Sequence, residues 1–71
     1  MTVRNRLKTF RHKHEFNQTE MADFLGINRD QYNRYENNRT QPSLGLALQI
    51  SAKLGVSVNE IFYLTNQSEI V

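Results

Sequence analysis

A chain of 71 residues makes one domain with a modest core, whose net stability is only a few kcal/mol. It has no cysteine, which excludes disulfides and cysteine-ligated metal centres. Its net charge of +2 is too mild to point to nucleic acid unaided, and no apolar run approaches the ~20 residues of a membrane span. No apolar leader core follows the N-terminus, so a secretory signal is not expected. The distribution of charge says more than its sum. Arg4, Arg6, Lys8, Arg11 and Lys13 face Glu15 alone in residues 1–15, whereas the rest of the chain is slightly acidic.

In chain order, Thr2 is placed to cap a first helix running to about His14, with Val3, Leu7 and Phe10 recurring at i, i+4 and i+7 as one apolar stripe. His12 and His14 are two apart and diverge on a helix, whereas helical zinc pairs sit at i,i+4, so no metal is expected. Phe16-Asn17-Gln18-Thr19-Glu20-Met21 carries a helix-start signature: Asn17 as N-cap, Glu20 at the capping-box position, Phe16 and Met21 as hydrophobic staple. The second helix covers residues 18–25, with Met21, Ala22 and Leu25 inward and Phe24 beside that stripe. Gly26 can take positive φ and end it.

Asn28 caps the third helix, residues 28–37, with Gln31 placed to complete a capping box and Ile27 with Tyr32 as its staple. Helical spacing puts Tyr32, Tyr35 and Glu36 on one side and Asp30, Asn33, Arg34 and Asn37 on the other, with Arg29 on the flank. The second side is rich in donors and acceptors of the kind that read base edges in a major groove. It also fits an ordinary solvated face, on which Asp30 and Arg34 form an i,i+4 pair. Residues 37–42 form a loop, with Asn38 suited to a left-handed position and Pro42 barring further helix. Ser43 caps a fourth helix, residues 44–54, whose inward side is Leu44, Ala47, Leu48, Ile50, Ser51 and Leu54, and Gly55 ends it. Ser57 with Glu60, and Val56 with Ile61, start a short fifth helix running from Val58 to about Leu64. This gives five helices and no convincing strand. The turn Gly26-Ile27-Asn28 is short enough to force the sharp angle of a helix-turn-helix.

The runs Arg6-Leu7-Lys8, Phe10-Arg11, Asn17-Gln18, Met21-Ala22, Leu25-Gly26-Ile27, Arg34-Tyr35-Glu36-Asn37, Gln41-Pro42-Ser43-Leu44, Ile50, Lys53-Leu54-Gly55-Val56-Ser57 and Glu60-Ile61-Phe62 stand in a telling order and spacing. Together they resemble the Cro/phage-repressor-type (XRE-like) helix-turn-helix regulators. The resemblance implies an all-α, lambda-repressor-like fold, a compact five-helix bundle in residues 1–66, with 67–71 a short C-terminal tail. It implies base-reading roles for Arg29, Asp30, Asn33 and Arg34, and DNA-backbone contacts for Asn17, Gln18, Asn37 and Arg39, with Gln18 also bracing the third helix. It also implies an internal salt bridge between Arg11 and Glu36. Four positions depart from the family pattern. Glu15 and Asn38 stand where glycine is common, Gly45 where glutamate is frequent, and Tyr32 where a small aliphatic residue is usual; Tyr32 is expected in the core with its hydroxyl in water.

The function so implied is a sequence-specific transcriptional regulator, a repressor, that reads the major groove of double-stranded DNA with its third helix. It is expected to act as a homodimer on a palindromic operator, with Ile61, Phe62 and Tyr63 as the dimer contact unless they merely close the core. The alternative is a protein-interaction module, such as an antitoxin or accessory regulator, whose main partner is another protein. No enzyme is expected, because no nucleophile arrangement, carboxylate pair or phosphate-cradling glycine loop is present. No cofactor, small-molecule ligand or membrane association is expected either. The expected setting is a cytoplasm, with bacterial or phage and mobile-element origin.

Overall fold

The computed structural model describes residues 1–66; the tail expected at 67–71 lies outside them. The elements run β1 (Thr2–Asn5), α1 (Leu7–Lys13), α2 (Gln18–Leu25), α3 (Arg29–Glu36), α4 (Leu44–Leu54), α5 (Val58–Ile61) and β2 (Phe62–Thr65). The five expected helices form, but the chain is not all-α. Its first helix begins at Leu7 and its fifth ends at Ile61, and the segments outside them pair as an antiparallel two-stranded sheet. The register sets Thr2 opposite Thr65, Val3 opposite Leu64, Arg4 opposite Tyr63 and Asn5 opposite Phe62. Both segments carry the β-branched and aromatic residues that suit a pleated surface. Each is also too short to form stable helix alone. Pairing satisfies their backbone groups, and the Arg6 amide adds a hydrogen bond to the Ile61 carbonyl at 2.8 Å.

The core is built from Leu7 and Phe10 of α1, Met21, Ala22 and Leu25 of α2, Tyr32 and Tyr35 of α3, Ile50 of α4 and Ile61 of α5. Phe16, Ile27, Leu46, Leu54, Val56 and Phe62 close its rim. Two residues of the expected stripe on α4 lie outside: Leu44 is 73% and Leu48 51% exposed. The face that turns inward is Ala47 and Ile50, flanked by Leu46 and Leu54. Val3, read as part of the α1 stripe, is 42% exposed on β1 instead. Tyr32 is wholly buried, and its hydroxyl meets a carboxylate rather than water.

Helices α1 to α4 share one way of stopping. At the ends of α1, α2, α3 and α4 a residue with left-handed backbone is followed by an amide that reaches five residues back: Phe16 to Arg11, Ile27 to Ala22, Arg39 to Arg34, Val56 to Ser51. This is the Schellman arrangement, and glycine is its usual pivot. Gly26 and Gly55 serve at two ends, at φ 71° and 70°, while Glu15 and Asn38 serve at the others, at φ 58° and 59°. These two non-glycine pivots have opposite predicted behaviour. A β-carbon in this region costs about 1 kcal/mol, so Glu15→Gly should raise stability by up to about that amount. Asn38→Gly should lower it, because Asn38 Oδ1 accepts from the Asn5 amide at 2.9 Å and from Gln41 Nε2 at 2.9 Å. Urea unfolding of the two variants at equal slope checks both signs.

Candidate nucleic-acid interface

The turn between α2 and α3 sets the site. Gly26 ends α2, and Asn28 restarts the chain as N-cap, its Oδ1 accepting from the amides of Asp30 at 2.9 Å and Gln31 at 3.2 Å. α2 begins with a complete capping box: Glu20 N–H donates to Asn17 Oδ1 at 2.8 Å, and Asn17 N–H donates to Glu20 Oε1 at 2.9 Å. Gln31 does not reach back to Asn28. Its Nε2 donates to the Tyr35 hydroxyl at 2.9 Å and its Oε1 accepts from Arg34 Nη2 at 2.8 Å. Tyr35 is nearly buried and its hydroxyl needs a partner; the residue one turn earlier supplies it.

α3 is therefore split lengthwise. Tyr32, Tyr35 and Glu36 are buried. Arg29, Asp30 and Arg34 are exposed, Asn33 is half-buried between the two sides, and Asn37 and Arg39 are exposed at its C-terminal end. Among the described residues the one ion pair is Arg11–Glu36, so Asp30 does not hold Arg34; Gln31 does. Arg29, Asp30 and Arg34 thus stand as two guanidinium groups and one carboxylate on a single open face.

Glu36 organises what lies beneath. Its Oε1 accepts from Arg11 Nε at 2.8 Å and from the Tyr32 hydroxyl at 2.6 Å, and its Oε2 from Arg11 Nη2 at 3.1 Å and Gln18 Nε2 at 2.9 Å. Arg11 Nη1 also donates to the Phe16 carbonyl at 3.1 Å. Burial opposes the charged carboxylate, but the hydrogen bonds from Arg11, Tyr32 and Gln18 outweigh it and hold Glu36 below the usual carboxylate range. The hydrogen bond to Glu36 raises Arg11. Burial first, then the hydrogen bond to Glu36, pushes the Tyr32 phenol upward. The result is a fixed ionic centre tying α1, α2 and α3 together directly under the open face. Gln18 extends it, accepting at Oε1 from Asn33 Nδ2 at 3.0 Å, and Asn37 Nδ2 donates to Asn33 Oδ1 at 3.1 Å.

The residues named for the DNA backbone come from two segments, and Gln18 meets α3 at Asn33 and Glu36. Asn17 and Gln18 lie at the start of α2, where Asn17 spends its oxygen on capping and keeps its Nδ2 donors. Asn37 and Arg39 lie at the end of α3. A second polar centre escaped the sequence reading. Asn5, only 6% exposed, donates from Nδ2 to the Tyr35 carbonyl at 2.7 Å and to Gln41 Oε1 at 2.8 Å, and accepts from the Leu7 amide at 3.0 Å. It pins the loop after α3 to the sheet. Its only signal in sequence is an asparagine two residues before a helix start.

Of the residues named for a dimer contact, Ile61 is corrected: it is wholly buried and belongs to the core. Phe62 and Tyr63 are half-buried and line a shallow groove with Val3, Asn59 and Leu64. The Arg6 guanidinium lies 4.1 Å from the centre of the Tyr63 ring, a cation–π contact. No group of histidine and acidic residues suited to hold a metal occurs among the described residues, and none of their helices is long and apolar enough to cross a membrane.

Comparison with known proteins agrees with this geometry. The chain is 43% identical over 54 residues to a SPbeta prophage-derived uncharacterized HTH-type transcriptional regulator of Bacillus subtilis, covering 76% of this chain and 50% of that protein. It is 35% identical over 60 residues to an uncharacterized HTH-type transcriptional regulator of Methanocaldococcus jannaschii, covering 84% of this chain and 91% of that one. The chain thus spans half the length of the Bacillus relative and most of the archaeal one. Its fold matches the crystal structure of a Bacteroides fragilis protein described as a candidate DNA-binding protein, with a TM-score of 0.75 at 21% identity over 87% of this chain and 100% of that one. Residues 7–61 match the Helix-turn-helix family, and with these relatives the chain belongs to the Cro/phage-repressor-type (XRE-type) helix-turn-helix family of transcriptional regulators.

Proposed function

We propose that this chain is a sequence-specific double-stranded-DNA-binding repressor that lays α3 in the major groove of a palindromic operator as a homodimer. The observation that carries the reading is the split of α3. One side is locked by Tyr32, Tyr35 and Glu36 into a rigid base, and the other offers Arg29, Asp30 and Arg34 to solvent. In this reading Arg29 or Arg34 grips guanine O6 and N7, Asn33 pairs with adenine N6 and N7, and Asp30 accepts from cytosine N4. Asn17, Gln18, Asn37 and Arg39 set register on phosphates without reading sequence. Residues 1–66 are the DNA-binding unit, and the setting is the cytoplasm of a bacterium or of a phage host.

Selection from random duplexes, followed by titration against salt, tests this. A sequence should be enriched. Arg34→Ala should relax preference at one or two base pairs at a loss of about 1–3 kcal/mol, while Arg39→Ala should weaken all sequences alike and lower the salt slope by about one. If no sequence is enriched, the protein-interaction reading stands instead, and the exposed Leu44 and Leu48 on α4 are the surface to examine.

One copy of α3 covers only a few base pairs, which supports pairing of two copies on half-sites about 34 Å apart. The patch suited to this is the groove of Val3, Asn59, Phe62, Tyr63 and Leu64, where Leu64 is 61% exposed. Leu64→Asp should shift sedimentation from dimer to monomer, and Leu48→Asp should not. The reverse result moves the interface to α4.

A further inference from the structure

A carboxylate can only accept hydrogen bonds, whereas a side-chain amide has one end that donates and one that accepts. Glu36 therefore imposes a direction on whatever amide touches it. Gln18 must turn its NH2 toward Glu36 Oε2, which it does at 2.9 Å, and so presents its oxygen to Asn33. Asn33 must then turn its NH2 toward Gln18, at 3.0 Å, and presents Oδ1 to the outside, where Asn37 Nδ2 donates to it at 3.1 Å. Every proton in the chain Asn37, Asn33, Gln18, Glu36 runs the same way, from the surface toward the buried charge. Reversing any amide would set oxygen against oxygen or NH2 against NH2 at hydrogen-bonding distance.

We propose that Glu36, acting through Gln18, fixes which way the Asn33 amide faces and is thereby a positioning residue for sequence readout. The inference rests on the base-reading role given to Asn33 above. With both internal bonds made, Asn33 keeps one N–H and one oxygen lone pair. These are the donor and acceptor that adenine asks for at N7 and N6–H. A flipped amide offers them in the opposite order. The free rotation of an exposed asparagine would allow both orders, so locking one contributes to discrimination without any added contact to DNA. The Arg11–Glu36 pair thus does more than join helices, because it keeps the last acceptor of the chain ionised.

The relay is testable in the free protein, apart from any DNA. In the 15N-labelled full chain, the Asn33 Nδ2 protons should show cross-relaxation to the Gln18 side chain and slowed exchange with water. In Gln18→Met, which keeps the length of the side chain but removes both polar atoms, those cross-peaks should vanish and Asn33 exchange should rise to that of an exposed asparagine. The Asn5 amide signals serve as the control for an intact fold, since Asn5 bonds only to other groups. Asn33 Nδ2 protons that neighbour Asn37 alone in the wild type, or an Asn33 signal unmoved by Gln18→Met, would overturn the relay.

The second arm uses the duplex obtained by selection. Gln18→Met should cut the preference for A·T over G·C at the base pair whose readout is lost in Asn33→Ala by about tenfold. A preference that survives intact, while the amide signals change as expected, overturns the specificity role. If the wild type selects no duplex, the DNA-reading role has failed, and the spectra still decide the relay.

Discussion

Arg11→Ala should be among the most damaging single substitutions in this chain, lowering the free energy of unfolding by about 3–5 kcal/mol. The magnitude follows from burial. The Glu36 side chain is 3% exposed and that of Arg11 13%, so the carboxylate left behind would sit in the interior with only Tyr32 and Gln18 donating to it. A domain of this size has roughly 3–5 kcal/mol to lose, so the variant should lie close to its unfolding midpoint at room temperature. Replacing both partners tests the cause. Arg11→Met combined with Glu36→Gln removes both charges while keeping shape, and should recover a large part of the loss, because the damage comes from an unpaired buried charge. Chemical denaturation of the two singles and the double gives the coupling directly. A double variant as unstable as the sum of the singles would mean that packing, not charge, holds this centre.

The same centre sets the pH dependence. Glu36 titrates lower in the folded chain than in the unfolded one, so in acid the unfolded chain binds its proton first. The stability it contributes is present above about pH 4.3, the ordinary glutamate value, and is lost as pH falls through its lower folded value. Tyr32 has the opposite sense: its phenol is pushed upward, so its contribution is full below the ordinary value of about 10 and drains away as pH rises beyond it. The urea midpoint should therefore fall at both extremes. The acid limb should flatten in the double variant that lacks the Glu36 carboxylate, while the alkaline limb should survive in it.

What was legible in the sequence was what is local. The capping box of Asn17 and Glu20, the Asn28 cap, and the Glu60 carboxylate accepting from the Ser57 amide at 2.9 Å are read within four residues, and each forms. The inward face of α3 follows from helical spacing alone. The Arg11–Glu36 pair joins residues on different helices, and only family resemblance pointed to it. The sheet was illegible for a plainer reason. Val3 fits a stripe with Leu7 and Phe10 as well as it fits a strand, and its strand partner Leu64 lies at the far end of the described chain. Gln31 shows that even a local signature yields when neighbours compete: its Oε1, the acceptor a capping box would have used, takes a hydrogen bond from Arg34 Nη2, while its Nε2 donates to the nearly buried Tyr35 hydroxyl. Leu44 and Leu48 fit the spacing of a stripe on α4, but the core has room only for the face of Ala47 and Ile50.

Asn5→Ala should cost about 2–4 kcal/mol, the second largest loss expected, although no signature marks the residue. Its side chain makes three hydrogen bonds in a nearly closed space, and alanine removes all of them. The Leu7 amide is the most exposed to the change. It belongs to the first turn of α1, has no partner within the helix, and would be left buried and unpaired. The Tyr35 carbonyl is better placed, because it also accepts from the Asn38 amide at 3.0 Å. The remaining damage falls on the loop after α3, where Gln41 loses its tie to β1 and the hold on Asn38 and Arg39 slackens. Asn5→Asp separates the parts of this account. It keeps an oxygen for the Leu7 amide but turns acceptors against the Tyr35 carbonyl and Gln41 Oε1, so it should be destabilising at neutral pH and partly repaired in acid, when the new carboxyl can donate. Native-state hydrogen exchange at Leu7, Asn38 and Arg39 should accelerate more in Asn5→Ala than at Met21 or Leu25 in α2. Uniform acceleration would mean that Asn5 supports the whole fold through the sheet; a local rise would make it the clamp that holds the end of α3, and with it the loop that carries Arg39, in place.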